Sequence, residues 1–103
     1  MQSIEPTELK KMMSQGTAFV LIDVRELYEH EAFNIGGQLI PMGELFDRLD
    51  EIPTNKQVVL YCQKGIRSVI AIQRLQQRSG FNNLINLTGG MDNWKRQVGS
   101  AHH

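Results

Sequence analysis

A single α/β domain, with a mainly parallel central sheet flanked by helices on both faces, is the fold class this 103-residue sequence predicts. Three observations carry that expectation. Short continuous apolar runs, Phe19–Ile22 and Val58–Tyr61, read as strands buried on both faces, as parallel sheets require, and Leu84-Ile85-Asn86-Leu87 reads as another strand. Segments of helical period separate them, with Gly, Pro and Asn at the junctions. The length suits one core and is too short for two.

In chain order, Pro6 suits a first helical position, and Thr7 to Ser14 carries Leu9, Met12 and Met13 at helical spacing before Gly16 stops it. The methionines belong to core packing. The run Phe19–Ile22 then leads into Asp23. Glu26 to Phe33 forms a short helix, broken by Asn34-Ile35-Gly36-Gly37, with His30 on its solvated face. Leu39-Ile40 is a short strand stopped by Pro41. Glu44 to Asp50 sets Leu45, Phe46 and Leu49 on one helical face. After the strand Val58–Tyr61, Ser68 to Ser79 is the strongest helix, with Val69, Ile72 and Leu75 at spacing three and Gly80 as its stop. Leu84–Leu87 gives a further strand, Gly89-Gly90 a turn, and Met91 to Gln97 a closing helix anchored by Trp94. The domain therefore runs over 1–98, and 99–103, ending Ser100-Ala101-His102-His103, reads as a tail outside it whose histidines belong to no site.

Charge narrows the function classes. Eleven basic and eleven acidic residues cancel, whereas proteins that bind nucleic acid or membrane surfaces usually carry a basic excess. Neither partner is expected. No stretch resembles a secretory leader or a membrane span, and one cysteine forms no internal disulfide and no metal-ligand spacing, so a reducing cytoplasm is the expected location.

That cysteine, Cys62, follows directly on an apolar strand and precedes a helix start by a few residues. Ligands of parallel sheets collect at this edge, beyond the carboxyl ends of the strands. The free N–H groups and dipole of the helix start favour an anion there. Gly65 permits a tight turn, while Lys64 and Arg67 add positive charge. Such a field favours a thiolate and would also hold an anion attached to its sulfur. Cys62 alone could equally be a buried small hydrophobe, Lys64 a solvated charge and Arg67 a brace for the loop. Asp23 and Arg25 end a buried strand at the same edge, where they are expected to support the site by pairing with neighbouring charges.

Cys62-Gln63-Lys64-Gly65-Ile66-Arg67-Ser68 resembles the Cys-x-x-Gly-x-Arg-Ser active-site loop of rhodanese-like sulfurtransferases. Asp23-Val24-Arg25-Glu26 resembles that family's Asp-Val-Arg-Glu segment, and Gly89-Gly90-Met91-Asp92-Asn93-Trp94 its closing Gly-Gly-x-x-x-Trp motif. The three fall in family order across nearly the whole chain. Asn34-Ile35 stands where many members carry His-Ile. The detailed form is similar to rhodanese domains fused to ThiF/MoeB-type adenylyltransferases. The resemblance implies a sulfurtransferase with Cys62 as nucleophile and residues Gln63, Lys64, Gly65, Ile66 and Arg67 binding substrate, with Ser68 supporting the site. It implies no metal or organic cofactor. The implied partners are a small anionic sulfur donor or a persulfide-bearing protein, and a ThiF/MoeB-type or sulfur-carrier protein. Two alternatives stand beside it. A cysteine-based phosphatase or arsenate reductase would use a Cys-x5-Arg loop, one residue longer than Cys62–Arg67. A non-catalytic binding module of the same fold would have no need of the cysteine.

Overall fold

The structure is a computed structural model that describes residues 1–99; the expected tail residues 100–103 lie outside the described residues. Five parallel strands, β1 (Gln2–Ile4), β2 (Val20–Asp23), β3 (Gln38–Leu39), β4 (Val58–Tyr61) and β5 (Leu84–Leu87), form one sheet in the order β1-β5-β4-β2-β3. Four α-helices join them: α1 (Pro6–Ser14), α2 (Leu27–Ala32), α3 (Arg67–Ser79) and α4 (Gly90–Gln97).

The apolar runs form the central strands for the reason their composition gives. Along β4, Val58 and Leu60 enter one core with Ile22, Ala71, Ile72 and Leu75. Val59 and Tyr61 enter the other with Leu9, Ile85, Met91 and Trp94. Side chains alternate along a strand, so both faces of β4 are covered and every position is apolar. Continuing that alternation, Cys62 falls on the face of Leu60, towards α3. The buried stripe of α3 is Ser68, Ala71, Ile72 and Leu75, and Val69 lies at its half-buried margin rather than at its centre. Gly80 ends the helix in the left-handed conformation at φ 69°.

Two elements differ from expectation. Strand β1 is absent from the pattern of apolar runs because only Ile4 of its three residues is buried; it pairs with β5 alone, at the sheet edge. The expected helix Glu44–Asp50 is two 3-10 segments, Met42–Asp47 and Leu49–Glu51, separated at Arg48 (φ −128°, ψ 32°). Arg48 instead ties them together through Glu44 and Glu51, which lie in one segment each. The start of α2 is set by a reciprocal capping box between Glu26 and Glu29. Gly99, assigned to the tail, still donates its N–H to the Trp94 carbonyl.

The strand order creates the crevice. From β2 the chain moves outward to β3, whereas from β4 it moves the other way to β5. The loops leaving these adjacent strands therefore diverge, and the gap between them is the switch point where parallel sheets bind ligands. Cys62 is the first residue beyond β4.

Candidate active site

The loop Cys62–Ile66 is shaped from below by the turn that opens α4. The N–H groups of Met91 and Asp92 donate to the carbonyls of Cys62 and Gln63, at 2.9 and 3.0 Å. In a trans peptide the N–H points opposite to the carbonyl before it, so the N–H groups of Gln63 and Lys64 face away from α4. The approach is close enough to need glycine. A Cβ on Gly90 (φ 58°) would overlap the Cys62 carbonyl oxygen and lie 2.8 Å from the Gln63 carbonyl. Gly65 (φ 82°) turns the loop in the left-handed region, and a Cβ there would sit 2.8 Å from the Gly89 nitrogen. A Gly90→Ala substitution is accordingly expected to cost at least about 2 kcal/mol, from a non-glycine residue at positive φ and a backbone overlap. Urea denaturation reads that loss directly, and an unchanged midpoint would deny the tight packing.

The Cys62 sulfur is the focus of the loop. Its Sγ accepts from the N–H of Gly65 at 3.1 Å and from the N–H of Ser68 at 3.4 Å. Ser68 lies in the first turn of α3, whose N-cap residue Ile66 offers no side-chain cap. The sulfur thus takes a helix N–H that a capping side chain would otherwise satisfy. The Ser68 hydroxyl sits 3.4 Å from Sγ and 2.5 Å from the Asn86 Oδ1 on β5. Cys62 is only 1% exposed, yet it contributes to a pocket of about 400 Å³ shared with Glu29, Gln63, Lys64, Ile66 and Arg67. It is both core residue and pocket wall.

Lys64 and Ile66 are exposed at the rim, Ile66 by 63%. The Gln63 side-chain amide is engaged at both ends, accepting from Arg25 at 2.8 Å and donating to Asp92 at 2.6 Å. Its backbone is therefore held while its side chain braces the loop. Arg67, expected to offer its guanidinium to an anion, is instead paired through both terminal nitrogens with Glu29, at 2.9 and 2.7 Å. The Arg67 hydrogen bonds hold the Glu29 carboxyl well below the usual carboxylate range, at about 2. Glu29 in turn raises Arg67 above its ordinary value. Glu29 is the site residue the sequence reading missed. Its only local sign was its place three residues after Glu26 in a capping box.

Beneath the loop lies a buried polar network. Asp23 is fully buried and accepts from the backbone N–H, Nε and Nη2 of Arg25, each at 2.9 Å. Arg25 also donates to the Phe33 carbonyl at 2.6 Å, joining β2, α2 and the loop. Asp23 and Arg25 thus lie beneath the loop, with Arg25 reaching the Gln63 side chain. His30 corrects an expectation: it is not a solvated helix residue, because its Nδ1 lies 2.9 Å from the Asp23 Oδ2 with the side chain 22% exposed. Among the described residues, no group of His, Cys, Asp and Glu side chains gathers to hold a metal ion.

Residues 5–97 match the rhodanese-like domain family. The chain belongs to that family. The rhodanese-like chain is 33% identical over 94 residues to a sulfurtransferase of Allochromatium vinosum, covering 90% of this chain and 87% of that protein. It is 34% identical over 99 residues to the probable adenylyltransferase/sulfurtransferase MoeZ of Mycobacterium tuberculosis, covering 93% of this chain and 25% of MoeZ. It is also 34% identical over 100 residues to a tRNA uridine(34) hydroxylase of Bdellovibrio bacteriovorus, covering 91% of this chain and 28% of that enzyme. The chain thus spans about a quarter of the length of these last two relatives. A solved rhodanese-like domain protein of Staphylococcus aureus superposes with a TM-score of 0.84 at 30% identity, covering 91% of each chain. No helix among the described residues is long and apolar enough to cross a membrane.

Proposed function

We propose that this rhodanese-like domain moves a sulfane sulfur from a donor to a thiophilic acceptor through a persulfide on Cys62. The observation that carries the reading is the convergence of the Gly65 and Ser68 N–H groups on Sγ inside the short Cys62–Arg67 loop. Donors aimed at that point stabilise a thiolate before transfer and the charge on a bound sulfur after it.

With thiosulfate, the Cys62 thiolate attacks the outer sulfur, the bond between the two donor sulfurs breaks, and sulfite leaves with the bonding pair. Cys62 then carries an S–S⁻ group. With an organic or protein persulfide, R–S–SH, the same attack yields Cys62–S–SH and releases R–S⁻. Transfer to cyanide or an acceptor thiol restores the thiolate. No step requires a metal or organic cofactor. The relatives support a donor or acceptor that is itself a protein of a sulfur-transfer pathway, such as a ThiF/MoeB-type enzyme or a sulfur carrier.

The phosphatase alternative would need the same cradle around a tetrahedral oxyanion, with a longer loop and an acid for the leaving group. Steady-state assays separate the two: thiosulfate-to-cyanide transfer is expected, with no hydrolysis of an aryl phosphate. The reverse pattern would replace the sulfur reading with the phosphate one.

A further inference from the structure

We infer that Glu29 is a specificity-determining residue that sets the pocket against free dianionic donors and towards a sulfane sulfur carried on a body of low charge. The inference rests on the Cys62 persulfide reading and extends it to the class of donor.

The argument begins with the charges on the pocket wall. Glu29 contributes one negative charge, Lys64 and Arg67 one positive charge each, and Cys62 reacts as a thiolate. The wall that meets a donor is therefore neutral in sum when the enzyme is ready to react. Without Glu29 it would carry a net positive charge. Nor is Arg67 free to turn towards an incoming anion. Both terminal nitrogens are held by the two Glu29 oxygens, and Glu29 is fixed in addition by the backbone N–H of Glu26 at 3.1 Å. The Glu29 side chain is only 14% exposed against 38% for Arg67, so the pairing anion is the better buried and less screened partner. Lys64, exposed at the rim, is the cation of the wall that enters none of the ion pairs among the described residues.

A donor such as thiosulfate brings two negative charges to a thiolate, and their repulsion must be offset by the wall. With Arg67 already neutralised, Lys64 is the side-chain cation of the wall left to add to the offset that the loop N–H groups provide. A persulfide brings at most one charge, and none in its protonated form, so it incurs less repulsion than thiosulfate. Ile66, 63% exposed and part of the same wall, offers apolar contact to an organic or peptide carrier and nothing to a sulfur oxyanion. Charge and surface therefore point to the same donor class.

The experiment compares kcat/KM for thiosulfate with that for the persulfide of an N-acetylated, esterified cysteine, which has no other charge. Glu29→Gln keeps a hydrogen-bonding amide beside Arg67 and removes the charge. The ratio of thiosulfate to this donor of lower charge is expected to rise at least about fivefold at low ionic strength, and the gain to shrink in ~0.5 M salt. Arg67→Gln, which leaves Glu29 unpaired, is expected to move the ratio the opposite way. If Glu29 serves only to tie α2 to the loop, both donors lose activity together and the ratio stays put, which overturns the inference. Should Glu29→Gln fail to fold, the native protein still decides: its thiosulfate kcat/KM should change less than about twofold between ~0.02 and ~0.5 M salt, whereas an unneutralised site would lose far more. Loading of Cys62 by both donors with an unmoved ratio overturns this inference alone. Failure of both donors to load Cys62 overturns the persulfide reading beneath it.

Discussion

Cys62→Ser is expected to reduce thiosulfate-to-cyanide transfer to background while leaving the protein folded. The sulfur is the proposed acceptor atom of the transferred group, and a serine hydroxyl at its ordinary acidity is not ionised at neutral pH and forms no persulfide. The fold should tolerate the change because the serine oxygen meets the same two donors, the N–H groups of Gly65 and Ser68. The shorter C–O bond draws the acceptor back from those donors, and Cys62 packs in the core beside Leu60 and Ala71. A cost of about 1 kcal/mol is therefore expected, the scale of one weakened hydrogen bond. Circular dichroism and urea denaturation would show a folded protein. Retained transfer at the native rate would remove Cys62 from the chemistry.

Asp23→Ala should be the most damaging substitution for stability. Asp23 is fully buried, and Arg25 beside it is 1% exposed. Removing the carboxylate leaves a buried guanidinium without its counter-charge, a change that costs about 3–5 kcal/mol. Against a total stability of about 5–15 kcal/mol for a domain of this size, much of the margin is lost. The effect reaches the site because Arg25 Nη1 holds the Gln63 side chain at 2.8 Å, and Gln63 also holds Asp92 on α4. The fraction that remains folded should load sulfur more slowly than the native protein. Asp23→Asn, which keeps the shape and some acceptors, should be less severe. A loss below about 1 kcal/mol for the alanine variant would mean that water replaces the carboxylate.

The legible parts of this molecule were those written in local sequence. Strands β2 and β4 announced themselves as apolar runs, and β5 as one broken only by Asn86, because neighbouring strands and both helix layers bury every residue of β4 and β5. Helix α3 and its Gly80 stop were legible for the same local reason. The place of Cys62 followed from a strand meeting a helix, and the N–H groups of Gly65 and Ser68 meet its Sγ there. Strand β1 was illegible because an edge strand of three residues with one buried side chain has no pattern to read. The 3-10 segments were misread as one helix because Leu45, Phe46 and Leu49 fit helical spacing, while the break at Arg48 depends on its contacts. Long-range pairs were the larger omission. Glu29 and Arg67 stand 38 residues apart, and nothing in either segment foretells their pairing. Seven residues separate His30 from Asp23, but their contact depends on how α2 folds back over β2. Local pattern therefore located the proposed nucleophile, whereas the charges facing it emerged only from the assembled chain.

The most direct test of the account is the intact mass of the protein after thiosulfate treatment and desalting. The native protein should gain the mass of one sulfur, the label should map to the peptide containing Cys62, and cyanide should remove it with release of thiocyanate. Cys62→Ser should gain nothing. A native protein that stays at its original mass with every sulfane donor offered, or a sulfur that also appears on the Cys62→Ser chain, would contradict the account.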